Sequence, residues 1–99
     1  MKYVVEWNAK PNTSEESAAR SLQVFSKWAP SEGATFREFL GRLDGGGGYA
    51  VVETDNPELV AKDVAPFNIW FDFKVVPVLE IADTAAIDIE ATEWVASIT

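Results

Sequence analysis

The chain has 99 residues, of which 16 are acidic and 8 basic, for a net charge of −8, and it contains neither cysteine nor histidine. At this length there is material for one hydrophobic core, so residues 1–99 are read as a single domain. The acidic balance argues against nucleic acid as a partner, since phosphate-backbone binders cluster Lys and Arg. The missing residue types exclude disulfides, thiolate nucleophiles, the commonest general base and the commonest transition-metal ligands, so no cofactor and no metal site are expected. With 47% apolar and 24% charged residues the composition is that of an ordered globular chain. No apolar run approaches the roughly 20 residues of a membrane span, and the opening MKYVVEWNAK lacks the long apolar core of a signal peptide. A cytoplasmic protein with no membrane association is expected.

Lys2 to Asn8 alternates Tyr3, Val5 and Trp7 on one side with Val4 and Glu6 on the other, then stops at Lys10-Pro11-Asn12, which predicts a first strand. Thr13 or Ser14 can cap a helix with Glu15 and Glu16 in its first turn and Arg20 and Lys27 later, the charge order that suits the helix dipole. Thr13 and Glu16 have capping-box spacing. Ala18, Leu22, Phe25 and Ala29 form its predicted apolar stripe, widened by Trp28, and Pro30 and Gly33 end it. Ala34 to Leu43 mixes Thr35, Phe36, Phe39 and Leu40 with Arg37, Glu38 and Arg42, as an edge strand does.

Asp44 and the four glycines that follow supply the positive φ angles of a hairpin turn leading into a strand from Tyr49 to Thr54. A phosphate-cradling loop would need a following Lys-Ser/Thr and a helix, and neither is present. Asp55 or Asn56 caps a short helix with Pro57 near its first position, ending at about Ala65 before Pro66. Ile69 to Val78 is predicted as an aromatic strand, with Pro77 suited to an edge or a bulge. Asp83 or Thr84 is the expected cap of a last helix that carries Ile87, Ala91, Trp94, Val95 and Ile98 at helical spacing.

The order strand, helix, strand, strand, helix, strand, helix is the split βαβ pattern. It predicts an α+β, ferredoxin-like βαββαβ fold, with a four-stranded antiparallel sheet, two helices on one face and an extra C-terminal helix. Strands one and three should be central. Keeping the charges together places Val5, Trp7, Ala50, Val52, Phe71, Phe73 and Val75 toward the helices. Glu6, Glu38, Arg42, Glu53, Asp72 and Lys74 then share the opposite face with Val4, Leu40, Tyr49, Val51, Trp70 and Val76. At about 25 cal/mol per Å², leaving those apolar side chains in water forgoes several kcal/mol, which predicts a homodimer through the sheet face. The last helix competes for the same role, over its own sheet or around the partner.

The segments Lys2-Tyr3-Val4-Val5 with Trp7, Phe25-Ser26-Lys27-Trp28, Phe39 with Gly41-Arg42, Gly47 through Asp55, and Pro77-Val78 carry a resemblance. Up to Ile81 the chain resembles a bacterial, DUF3303-like family of small proteins, a domain of unknown function within the dimeric α+β barrel superfamily. The resemblance implies a ferredoxin-like subunit and a homodimer, and it implies no activity, so no catalytic residue is carried over. The wider superfamily includes cofactor-independent oxygenases, heme-degrading enzymes, dye-decolourising peroxidases and muconolactone isomerases, which hold small, often aromatic, ligands between sheet and helices. The heme-dependent activities are set aside, because their usual iron ligand is a histidine.

The candidate cavity or interface residues are Glu6, Trp7, Trp28, Arg42, Glu53, Trp70 and Asp72. Trp7 and Trp28, with Phe71 and Phe73, are able to line an apolar pocket or simply to fill a core. Glu6, Glu53 and Asp72 are strand carboxylates, suited to an acid/base pair if brought together and otherwise to ion pairs with Arg37, Arg42 or Lys74. No serine lies in a nucleophile motif. Three readings follow: a homodimeric binding or accessory protein for a small apolar ligand, a cofactor-free oxygenase or isomerase of a small aromatic substrate, and a purely structural dimerisation module. A solvent-open cavity containing one of those carboxylates would favour the enzyme.

Overall fold

The computed structural model describes all 99 residues. Strand β1 (Lys2–Ala9) is followed by helix α1 (Glu15–Lys27), strands β2 (Thr35–Gly41) and β3 (Gly47–Glu53), helix α2 (Glu58–Val64), a single 3-10 turn (Ala65–Phe67), strand β4 (Phe71–Val78) and helix α3 (Ile81–Ser97). The four strands form one antiparallel sheet in the order β2-β3-β1-β4, so β1 and β3 are central as expected. The arrangement is α+β and consistent with a ferredoxin-like fold.

Local chemistry accounts for the element ends. Ser14 caps α1 by accepting from the Ser17 amide at 3.1 Å, whereas Thr13 turns back and donates to the Lys10 carbonyl, so the capping-box pair does not form. Asn56 Oδ1 accepts from the Glu58 amide at 3.1 Å, and Pro57 precedes α2, where its lack of an N–H costs nothing. Pro66 breaks the α pattern into the 3-10 turn, and Pro77 sits on the edge strand β4. Helix α3 starts at Ile81 with Glu80 as its N-cap, earlier than an Asp83 or Thr84 cap would place it. Thr84 instead donates its hydroxyl to the Ile81 carbonyl inside the first turn, and Asp83 adds negative charge there.

The register fixes the two sheet faces. Val5 pairs with Ala50 and Val75, and Trp7 with Gly48 and Phe73, on the face that meets α1 and α2. Val4 pairs with Val51 and Val76, and Glu6 with Tyr49 and Lys74, on the open face. Strand β2 departs from strict alternation. A bulge between Phe36 and Glu38 brings both Phe36 and Phe39 to the helix side, although they are three residues apart.

Helix α1 is rotated relative to its predicted stripe. Ser17, Ser21, Val24 and Trp28 are its more enclosed positions, while Ala18 and Ala29 face solvent and Leu22 and Phe25 border an opening. The cause lies at the helix end, where the Trp28 indole N–H donates to the Asp63 carbonyl at 3.0 Å and pins the rotation. The core is small, built from Val5, Ala50, Val52 and Val60 with Tyr3, Trp7, Phe36, Val64 and Phe73 packed around it. Helix α3 takes no part in it. Apart from Thr84, every residue of α3 is exposed, and it covers neither face of its own sheet.

Candidate functional site

Between the sheet and helices α1 and α2 lies a cavity of about 260 Å³ that opens to solvent. Its floor is Val5 and Trp7 of β1, Ala50 and Val52 of β3, and Phe71 and Phe73 of β4; Phe36 and Phe39 of β2 form one wall. Its roof comes from Leu22, Phe25 and Trp28 on one side and Val60, Val64 and Phe67 on the other. Leu22, Phe25 and Phe39 line the cavity and are themselves exposed, Leu22 to 69%, as side chains at an opening are.

Trp28 is the hub of the aromatic wall. Its ring lies 5.7 Å from Phe36, 5.8 Å from Phe25, and 5.9 Å from both Phe39 and Phe67, mostly in edge-to-face geometry. Trp7 meets Phe39 edge-on at 5.5 Å. Room for the Trp7 ring depends on Gly48, because a Cβ there would lie 2.3 Å from the Trp7 ring.

Only two polar side chains reach this lining, Ser21 and Asp63. Ser21 donates its hydroxyl to the Ala18 carbonyl at 2.7 Å and is thereby satisfied within its own helix. Asp63 is 4% exposed and accepts from Ser31 twice over: Oδ1 from the Ser31 hydroxyl at 2.6 Å, and both oxygens from the Ser31 amide at 3.0 and 3.1 Å. One residue thus fastens α2 to the loop after α1 through its side chain and to Trp28 through its carbonyl. The cavity is an apolar, aromatic chamber with a single, already engaged carboxylate at its wall.

The residues singled out from sequence divide between the two sides of the sheet. Trp7 and Trp28 line the cavity, together with Phe71 and Phe73. Glu6, Arg42, Glu53 and Asp72 belong to the open face. Trp70 does not join them there. It lies in the turn before β4, its amide donates to the Phe67 carbonyl at 3.0 Å, and its ring is 6.5 Å from Phe67, beside the cavity wall. Strand alternation does not extend to it because β4 begins one residue later, at Phe71.

Glu53 stands apart from the other two carboxylates, whereas Glu6 and Asp72 are diagonal neighbours across β1 and β4. Glu53 is opposite Lys2, four residues along β1 from Glu6, a separation of about 13 Å at strand rise. Asp72 is opposite Asn8. Glu53 accepts from Arg37 Nε at 2.9 Å, and that hydrogen bond, reinforced by the guanidinium charge, holds its carboxyl below the usual range. Arg42 bridges Asn8, at 2.7 Å, and Asp44, whose carboxyl is lowered chiefly by the Gly46 amide and then by Arg42. The remaining ion pair joins Lys2 to Glu80, and the hydrogen bond between them raises the lysine. Lys74 stands beside Glu6 in the register without forming an ion pair.

Asp63, Phe36, Phe39 and Phe67 were not singled out from sequence as site residues. A signal for Asp63 does exist: it sits with Val60, Val64 and Phe67 at helical spacing, and a carboxylate on an apolar stripe implies a buried partner.

A family model described as "Domain of unknown function (DUF3303)" matches residues 1–91. The chain belongs to the DUF3303 family. The match spans the sheet, both packed helices and the first eleven residues of α3, so the cavity lies wholly within the DUF3303 domain. Neither a curated protein nor a solved structure matches the chain. No helix of this domain is long and apolar enough to cross a membrane.

Proposed function

We propose that this DUF3303 domain is a homodimeric binding protein for a small apolar compound, an aromatic one of one or two rings, held between the sheet and the helices. The observation that carries the reading is the cavity itself: about 260 Å³ of open space walled almost entirely by hydrophobic side chains. A dry cavity of about 150 Å³ already accepts benzene, and small-molecule sites begin near about 300 Å³. Edge and face contacts from Trp28, Phe36, Phe39 and Phe67 suit a planar ring.

Binding is preferred over cofactor-free oxygenase or isomerase chemistry. Glu53 and Asp72, the acids such chemistry would call on, belong to the other face, and Asp63 is committed to Ser31. It is also preferred over a purely structural module, because unfilled interior forfeits dispersion contacts that close packing would supply. The homodimer is supported by the open face, where Leu40, Tyr49 and Val76 are exposed beside Val4 and Val51.

The test is a titration with 2-naphthol, read through the fluorescence of Trp7 and Trp28 in the wall. A saturable change is expected in the wild type, weakened at least about tenfold by Ala50→Leu, which fills the floor. An unsaturable wild-type response, or unaltered affinity in a folded Ala50→Leu variant, would sink the reading.

A further inference from the structure

Helix α3 is the largest feature of the chain with nothing to pack on. It runs 17 residues, about 25 Å, and none of its residues is buried. Ile87 is 54%, Ile89 62% and Trp94 65% exposed, and Val95 and Ile98 are similarly bare. Its apolar residues are spread around the helix, a pattern found in helices enclosed on more than one side. It joins the body through the two-residue connection Leu79-Glu80, where Glu80 pairs with Lys2 at the start of β1.

The area shows how much cover is missing. A folded monomer of 10.9 kDa exposes about 5,600 Å², whereas this chain exposes 7310 Å², about 1,700 Å² more. Its radius of gyration is 17.8 Å against about 13 Å for a compact chain of this length. Removing that excess from both members of a pair would bury about 3,400 Å² in all, within the range of obligate homodimers.

Two apolar surfaces therefore stand uncovered, the helix and the open sheet face. Helix α3 extends away from its own sheet, in a chain 63 Å long and 31 Å across. We infer that α3 is an exchange arm that seats on the open sheet face of a second copy of this chain, over Val4, Leu40, Tyr49, Val51 and Val76, while the partner's arm does the same in return. A reciprocal exchange supplies each copy with one arm and one seat, which a two-fold axis satisfies. Charge does not select this seat, since α3 carries Asp83, Asp88, Glu90 and Glu93 with no Lys or Arg and the open face sets Glu6, Glu38 and Asp72 beside Lys74; uncovered apolar area and two-fold reciprocity do. The inference rests on the homodimer half of the proposed function and is independent of the ligand half.

The absence of cysteine makes the test direct. Ile89→Cys and Tyr49→Cys chains, each otherwise wild type, are mixed and oxidised, and the products are separated under denaturing, non-reducing conditions. The expected product is a disulfide between Cys at position 89 of one chain and position 49 of the other, in excess over either homodisulfide. In the same protein without cysteines, Ile87→Asp with Trp94→Asp should weaken the dimer at least about tenfold by sedimentation while circular dichroism of the sheet is kept. A 49-to-49 disulfide in excess would mean that the sheets stack directly, overturning the arm but leaving the dimer. In a third chain that carries Ile89→Cys and Tyr49→Cys together, an internal disulfide at monomer mass would mean that α3 folds back on its own sheet and would overturn the inference. A wild-type monomer at micromolar concentration would overturn the arm and the dimer together, with the naphthol titration still to stand or fall by itself.

Discussion

Asp63 is the only charged residue that the fold takes out of water, and its cost is met by the Ser31 amide and hydroxyl rather than by a cation. Asp63→Ala should lower stability by about 2–3 kcal/mol in a denaturant titration, because it strands the Ser31 amide and frees the roof of the cavity. Asp63→Asn keeps one acceptor oxygen and should lose about half as much. Glu53 behaves differently, being half-exposed and paired with Arg37. Since its carboxyl is held below the usual range in the folded chain, the unfolded chain takes up the proton at a higher pH than the folded one does. The contribution of the pair is therefore complete above the ordinary glutamate value of about 4.3 and is lost as pH falls through the folded value. The denaturant midpoints of wild type and Glu53→Gln should differ at pH 7 and converge as the pH is taken progressively below the ordinary glutamate value. Lys2 has the opposite sign: its pKa is raised by Glu80, so that stability is full at neutral pH and is lost only on strong alkalinisation.

At the scale of elements, the glycine tract divides into two jobs. Gly45, at φ 75°, makes the turn, with Asp44 Oδ1 accepting from the Gly46 amide at 2.8 Å. Gly47 and Gly48 are already strand, opposite Asn8 and Trp7, and there the demand is for close approach. A Cβ on Gly47 would fall 1.8 Å from the Trp7 carbonyl oxygen, so Gly47→Ala should cost at least about 3 kcal/mol, read from the thermal midpoint or from denaturant. Gly45→Ala, which meets open space and strains only the dihedral, should cost about 1–2 kcal/mol. The run of four glycines is plain in the sequence, but the split between turn and strand depends on which residue lies across the ladder. Phe36 and Phe39 teach the same lesson, because their three-residue spacing is compatible with one face only through the bulge beside Glu38.

For the whole molecule, the shortage of buried residues is the central fact. Nine of 99 residues are buried, a core too small for an isolated domain of this length to rely on. A reciprocal dimer makes stability a function of protomer concentration, so tenfold dilution should lower Tm by about 3–5 °C, whereas a monomer would show no shift. The strand order, the two central strands, the two packed helices and the apolar side of the sheet follow from period-two and period-3.6 patterns, because burial on one face leaves an imprint on every second or every third to fourth residue. Trp7, Phe71 and Phe73 carry that imprint, which marks them as inward-facing without deciding between packed core and cavity wall. The tertiary structure alone decided that α1 turns by about one residue under the Trp28–Asp63 hydrogen bond and that the wall stays open instead of closing into core. It also decided that Glu53 lies well away from Glu6 and Asp72 along the open face and that α3 leaves the body. Those outcomes turn on contacts between segments distant along the chain, and a local hydrophobic pattern fixes which side of an element is apolar without fixing what, if anything, comes to cover it.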